Sequence, residues 1–128
     1  MVLVAGGTGI TPFVSFLELA CDENSTNSIR LFYGVRAPEM IVYKEIIQEC
    51  KLRLAAFSFH LFIEDEGEQP IEGSLTGTLD IDRILDRVQV PEKAILYLSG
   101  PLAMIQNLRP GLTQQGINAE NIRVDEWE

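Results

Sequence analysis

The sequence predicts an α/β fold: a three-layer domain with a five-stranded parallel sheet, order 3-2-1-4-5, and helices on both faces. Two observations carry this prediction. Five short β-branched or apolar runs alternate with four segments whose apolar residues recur at helical spacing, which is the pattern of a parallel sheet covered by crossover helices. Glycine-bearing turns follow the first and fourth runs, GGTG and SGP. With right-handed crossovers, order 3-2-1-4-5 makes strands 1 and 4 neighbours where the winding reverses, and such sheets bind ligands outside the carboxyl ends of those strands.

Residues 2–5 form the first strand. After the glycines, residues 12–20 place Phe13, Phe16, Leu17 and Ala20 on one helical face. The polar stretch DENSTNS leads to a second strand over 29–33, which ends at Gly34. Residues 40–54 carry Tyr43, Ile46, Ile47, Cys50 and Leu54 on one face of a second helix, and 57–63 is an aromatic and aliphatic third strand. A long acidic loop over 64–77 precedes a short helix at 80–88, with Ile81, Ile84, Leu85 and Val88 inward. The fourth strand is 94–98, AILYL, interrupted by SGP; residues 102–115 are helical, and Pro110 is expected to break or kink that helix near Arg109. Residues 122–125 supply the fifth strand. There is no internal repeat and no low-complexity tract.

At 128 residues and 46% hydrophobic, the chain suits one domain that buries ~70% of its unfolded surface. A net charge of −9 argues against nucleic acid and against a polybasic membrane contact. No apolar run reaches the ~18–20 residues of a membrane span, and the start lacks the basic residues and cleavage site of a signal peptide, so the domain is read as cytoplasmic. Cys21 and Cys50 form no CxxC pattern and are read as reduced, buried thiols. His60 has no ligand partner nearby, and no metal site is expected. The phenylalanines fall at core spacing. No Ser-His-Asp set with an elbow motif exists, which excludes that hydrolase class.

The chemistry concentrates in GGTGITPF, residues 6–13. Pro12 suits the first turn of a helix, where its missing N–H is not needed, and Thr11 is expected to cap that helix with its hydroxyl. Gly7 and Gly9 let the backbone turn tightly and approach a ligand, while unpaired amides and the helix dipole favour an anion. A pyrophosphate is the natural occupant, and Thr8 lies between the two glycines. The turn departs from GxGxxG, because Pro12 takes the last place.

GTGITP followed by a helix resembles the NAD(P)-binding domain of the ferredoxin-NADP reductase family, whose GTGxxP turn cradles the cofactor pyrophosphate. LFYGVR, residues 31–36, followed by Tyr43, Lys44 and Glu45, looks like the family's YGxR segment and the helix after it. GTLD, residues 77–80, sits where the family has a glycine before its next helix; YLSGPLAM, residues 97–104, resembles its CGPxxM turn beside the nicotinamide; IRVDEW resembles its closing strand. The resemblance spans nearly the whole chain. It implies one NAD(P)-binding domain over residues 1–128, belonging to a larger flavoprotein, because the chain begins within the first strand and lacks the family's flavin-binding barrel. Ser99 stands where most members have cysteine.

On this resemblance, Gly7, Thr8, Gly9, Thr11 and Pro12 form the pyrophosphate turn, and Ser99, Gly100, Pro101 and Met104 the nicotinamide pocket. Ser99 is the candidate catalytic residue, with an ordinary turn serine as the alternative. Arg36 either reaches the cofactor or is a surface arginine. Relatives that use NADPH hold its 2′-phosphate with basic groups after the third strand; here that stretch is FIEDEGE, with Glu64, Asp65, Glu66 and Glu68. Carboxylates would repel a phosphate and accept from a ribose hydroxyl, so NADH is favoured over NADPH, with Glu64 or Asp65 at the ribose, unless the loop is only a solvated acidic turn. Trp127 either faces the flavin or lies on the surface. The implied function is positioning nicotinamide for hydride transfer to FAD on another domain, which forwards electrons to an iron-sulfur, haem or oxygenase partner. The alternatives are a flavodoxin-like FMN carrier and a non-catalytic interaction subunit that keeps the fold.

Overall fold

The computed structural model describes residues 1–67, 71–89 and 91–127. Six strands form one wholly parallel sheet: β1 (Val2–Gly6), β2 (Ile29–Val35), β3 (Phe57–Ile63), β4 (Leu75–Thr76), β5 (Leu96–Pro101) and β6 (Ile122–Trp127). Their order is β4-β3-β2-β1-β5-β6. The five expected strands keep the expected order, and β4 is an addition at the edge. Two residues are too short to leave a periodic signal, and β4 is held by tertiary pairing of Leu75 with Phe62 and Thr76 with Ile63.

Strand alternation divides the core between two faces. Leu3, Ala5, Leu31, Tyr33, Leu61 and Ile63 pack with α1 (Thr11–Asp22) and α2 (Lys44–Arg53), while Val4, Phe32, Phe62, Leu96 and Leu98 pack with α3 (Ile81–Leu85) and α4 (Leu102–Gln114). The sheet is therefore buried on both sides, and the winding reverses between β1 and β5. Between α1 and α2 the sulfurs of Cys21 and Cys50 stand 3.3 Å apart as free, buried thiols. Burial and the Cys21 neighbour push the Cys50 thiol up to about 12.

Several local expectations need correction. Thr11 does not cap α1, because a 3₁₀ turn over Gly7–Ile10 runs directly into it and Thr11 is already helical. The left-handed Gly7, φ +55°, starts the turn four residues earlier than Thr11. The second helix begins at Lys44 rather than residue 40, after a separate turn at Pro38–Met40 and a left-handed Tyr43 with φ +58°. β5 continues through Ser99 and Gly100 to Pro101 instead of stopping at Leu98. Pro110 leaves α4 unbroken to Gln114. It lies on the exposed side with Gln106, whose carbonyl loses its donor there. Gly111 next to it leaves room for Ile81 of α3, since a Cβ at Gly111 would overlap Ile81 Cδ1.

Candidate functional site: a glycine-floored cleft at the switch point

A cleft of about 440 Å³ opens at the carboxyl ends of β1, β2, β3 and β5. Strand register builds its floor. Gly6 pairs with Gly34 of β2, and one step before it Ala5 pairs with Ser99, so Gly34, Gly6 and Gly100 form a row across three strands. Side chains from the flanking elements seat on that row. A Cβ at Gly34 would stand 2.8 Å from Leu79 Cγ, one at Gly100 would stand 2.8 Å from Met104 Cε, and one at Gly6 would overlap Met104 Sδ. Only glycines let Met104 and Leu79 lie so close to the strand ends, and the space left above them is the cleft.

The walls come from five segments. Gly6 and Gly7 close one end, and Pro101, Met104, Asn107 and Leu108 come from the β5–α4 junction. Val35, Arg36 and Met40 follow β2, Glu64 follows β3, and Gly77, Thr78 and Leu79 form a strap after β4. Buried Tyr33 supports the β2 side, its hydroxyl accepting from Val42 N–H at 3.2 Å. Burial holds the Tyr33 phenol above its ordinary value, so it stays protonated in this role.

The structure brings together Gly7, Arg36, Glu64, Pro101 and Met104 among the residues singled out from the sequence. Gly7 and Thr8 are exposed in the turn at the cleft mouth, and Thr11 and Pro12 are exposed at the start of α1. Gly9 has a different position: a Cβ there would overlap the Ser99 carbonyl and stand 2.9 Å from Gly100 Cα. Its missing side chain therefore serves contact between the two glycine turns, whereas Gly7 faces open space. Asp65 lies outside the lining and accepts from Gly67 N–H at 3.1 Å, and Glu66 accepts from the Ser74 hydroxyl at 3.1 Å. Glu68 lies outside the described residues, as does the side chain of Trp127.

Ser99 is 0% exposed, and its Oγ has no hydrogen-bond partner among the described residues. Alternation places it on the face of Ala5 and Tyr97, next to the Gly7–Ile10 turn and opposite Met104. A serine serving only a turn would spend its hydroxyl on nearby amides; this one is an orphaned polar group at the switch point. His60 also has an unpartnered buried nitrogen, Nε2, but it lies at the middle of β3 stacked on Phe32. Among the described residues no group of three or more metal-ligating side chains converges, and no helix is long and apolar enough to cross a membrane.

Sequence reading missed Gly6, Gly34, Met40, the Gly77–Leu79 strap, Asn107 and Leu108. Gly34 and Gly77 stood inside the segments YGVR and GTLD, so the signal was present without its contacts.

Comparison with known proteins identifies the family and the fold. Residues 3–109 match the family model described as the oxidoreductase NAD-binding domain. The chain is 30% identical to the anthranilate 1,2-dioxygenase electron transfer component of Acinetobacter baylyi, over 91% of this chain and 33% of that protein. It is 31% identical to oxidoreductase NAD-binding domain-containing protein 1 of Danio rerio, over 99% of this chain and 52% of that one. It thus spans about half or less of the length of these curated relatives. A flavohemoglobin structure from Malassezia yamatoensis, with bound FAD and heme, shares the fold at TM-score 0.82 and 23% identity, covering 99% of this chain and 31% of that one. The chain belongs to the oxidoreductase NAD-binding domain family.

Proposed function

We propose that this domain binds NADH in the switch-point cleft and presents its nicotinamide to FAD held by a separate domain of a flavin-dependent electron-transfer reductase. The observation that carries the reading is the row of Gly34, Gly6 and Gly100 beneath the cleft, with left-handed Gly7 at its mouth. Glycines at three adjacent strand ends let Met104 and Leu79 lie low over the sheet, and the cleft this opens beside the first turn of a helix suits a dinucleotide pyrophosphate. Thr8 and the turn amides hold that group. Arg36 adds positive charge at the rim of an otherwise acidic protein. Glu64 takes the adenosine ribose and disfavours a 2′-phosphate; Asp65, committed to Gly67, is the weaker candidate.

Gly100, Pro101 and Met104 shape the nicotinamide end. Ser99 does not line the cleft: it is fully buried against the Gly7–Ile10 turn, on the face opposite Met104, so its unpartnered Oγ orients the ring only where cofactor binding shifts that turn. The chemistry supplied by the cofactor when bound is hydride donation from nicotinamide to the flavin of the neighbouring domain. The relative named as a dioxygenase electron transfer component supports an oxygenase as the acceptor; an iron-sulfur or haem acceptor and a cytoplasmic location belong to the same proposal.

The test is anaerobic titration of the complete flavoprotein. NADH should bleach its flavin stoichiometrically, at lower concentration than NADPH. A protein without flavin, or a flavin that NADH does not reduce, would overturn the reading.

A further inference from the structure

Arg83 lies outside the cleft lining, yet its side chain ties two carbonyls beside that lining to Asp80. From α3 its Nη1 donates to the Thr76 carbonyl at 2.8 Å and its Nη2 to the Thr78 carbonyl at 2.9 Å. Its Nε stands 3.6 Å from Asp80 Oδ2, and its guanidinium lies 4.8 Å from the centroid of the Phe62 ring. Asp80 is itself fixed, because its Oδ1 accepts from Asp82 N–H at 2.9 Å as the cap of α3. The fork therefore has a defined origin and two defined targets.

Those targets bracket Gly77. Its φ of +111° is a backbone conformation that side chains rarely adopt, and a Cβ there would stand 2.9 Å from Arg83 Nη2. On its other side Gly77 N–H donates to the Ile63 carbonyl at 2.9 Å, and Leu79 seats on Gly34. The strap is thus pinned inward through Gly77 and Leu79 and outward through Arg83. Gly77, Thr78 and Leu79 form the cleft wall nearest Glu64, the side assigned to adenosine.

We infer that Arg83 is a positioning residue for nucleotide binding: its two carbonyl bonds hold the Thr76–Leu79 strap in place as the adenosine-side wall of the cleft. The inference rests on the dinucleotide reading above. The two carbonyl dipoles are satisfied by a cation outside the cleft, so their negative ends do not face an anionic ligand unpaired. A lysine has one ammonium and lacks the planar fork that spans two carbonyls, so charge alone does not replace it.

The experiment compares the purified wild-type protein with Arg83→Lys, Arg83→Ala and Arg87→Ala. Binding of NADH and of ADP is followed by NMR, and amide exchange is followed at Gly77. Arg87, just past the end of α3, donates to the Arg83 carbonyl and not to the strap, which makes its variant the control for lost charge beside α3. Arg83→Lys is expected to weaken NADH and ADP by a common factor of about threefold to tenfold and to speed Gly77 exchange, with β1 and β2 amides unchanged. Arg83→Ala should do more of both, and Arg87→Ala little of either. Wild-type affinity in a folded Arg83→Lys, or unaltered Gly77 exchange, overturns the inference even if NADH binds. If the wild-type protein binds neither ligand, the dinucleotide reading fails and the positioning role falls with it, while Gly77 exchange still reports whether the clamp exists.

Discussion

Gly9 lies against the carbonyl of Ser99, so the turn after β1 and the end of β5 touch backbone to backbone. The two glycine motifs are thereby parts of one construction, and each fixes the position of the other. Gly7, two residues earlier, meets nothing within 4 Å where its Cβ would be. These neighbours should fail differently. Gly7→Ala keeps the packing but strains a left-handed residue, costing about 1 kcal/mol. Gly9→Ala forces the β5 end to move, costing about 1–3 kcal/mol. Urea denaturation with NADH titration separates them: Gly7→Ala should lose affinity with a modest stability loss, and Gly9→Ala should lose both. An unchanged unfolding midpoint in Gly9→Ala would contradict the contact.

Ser99 offers a cleaner separation of binding from chemistry. Its Oγ has no protein partner, so Ser99→Ala removes an orphaned buried hydroxyl and should leave stability unchanged or slightly raised. Stopped-flow measurement in the complete reductase should show flavin reduction slowed about tenfold or more, with the NADH dissociation constant nearly constant. A loss confined to affinity or to thermal stability would assign Ser99 a structural role instead.

Glu64 decides between the two dinucleotides. Its carboxylate lines the cleft and would face the extra phosphate of NADPH. Glu64→Gln should shift the NADH-to-NADPH affinity ratio about fivefold toward NADPH, the scale of one repulsive pair at about 4 Å in water. Arg36→Ala should weaken both ligands together, since it removes positive charge without distinguishing them. Calorimetry measures both effects, and an unchanged ratio in Glu64→Gln would remove Glu64 from the ribose site.

The sheet order and part of the cleft were legible because glycine and proline leave local signals. The sheet order followed from five apolar runs, and Gly7, Gly100 and Met104 followed from GTGITP and SGPxxM. What was not legible depends on partners distant in sequence. Nothing around Gly9 announces Ser99 opposite it, so the two glycines of GGTG looked alike. Thr11 looked like a cap because the sequence does not print the left-handed turn at Gly7. Tyr43 carries φ +58° next to a segment tied down by Tyr33, which no residue propensity anticipates. The two-residue β4 and the strap after it exist through Phe62, Gly34 and Arg83.

His60 makes a prediction about pH, and it is the sole histidine. Its ring stacks on Phe32 with centroids 4.8 Å apart, and burial, then Arg87 and Arg30, holds its pKa below the ordinary 6.5. The unfolded chain therefore binds a proton near pH 6.5 that the folded protein refuses until lower pH. The His60 contribution to stability is full above pH 6.5 and is lost as pH falls below it toward the folded value. Denaturant midpoints measured from pH 8 down to pH 5 should fall, and His60→Phe, which keeps a ring against Phe32, should flatten that decline. An equal decline in both proteins would show that carboxylates alone set the acid limit.

The central claim is that a dinucleotide occupies the glycine-floored cleft, and an NMR titration of the purified protein with NADH, repeated with NADPH, tests it most directly. NADH should give saturable shifts concentrated at Gly6–Thr8, Gly34–Arg36, Glu64, Gly77–Leu79 and Gly100–Met104, with weaker shifts from NADPH at the same amides. No saturation at millimolar NADH, or shifts centred on the outer face of α2 instead of these strand ends, would contradict the account.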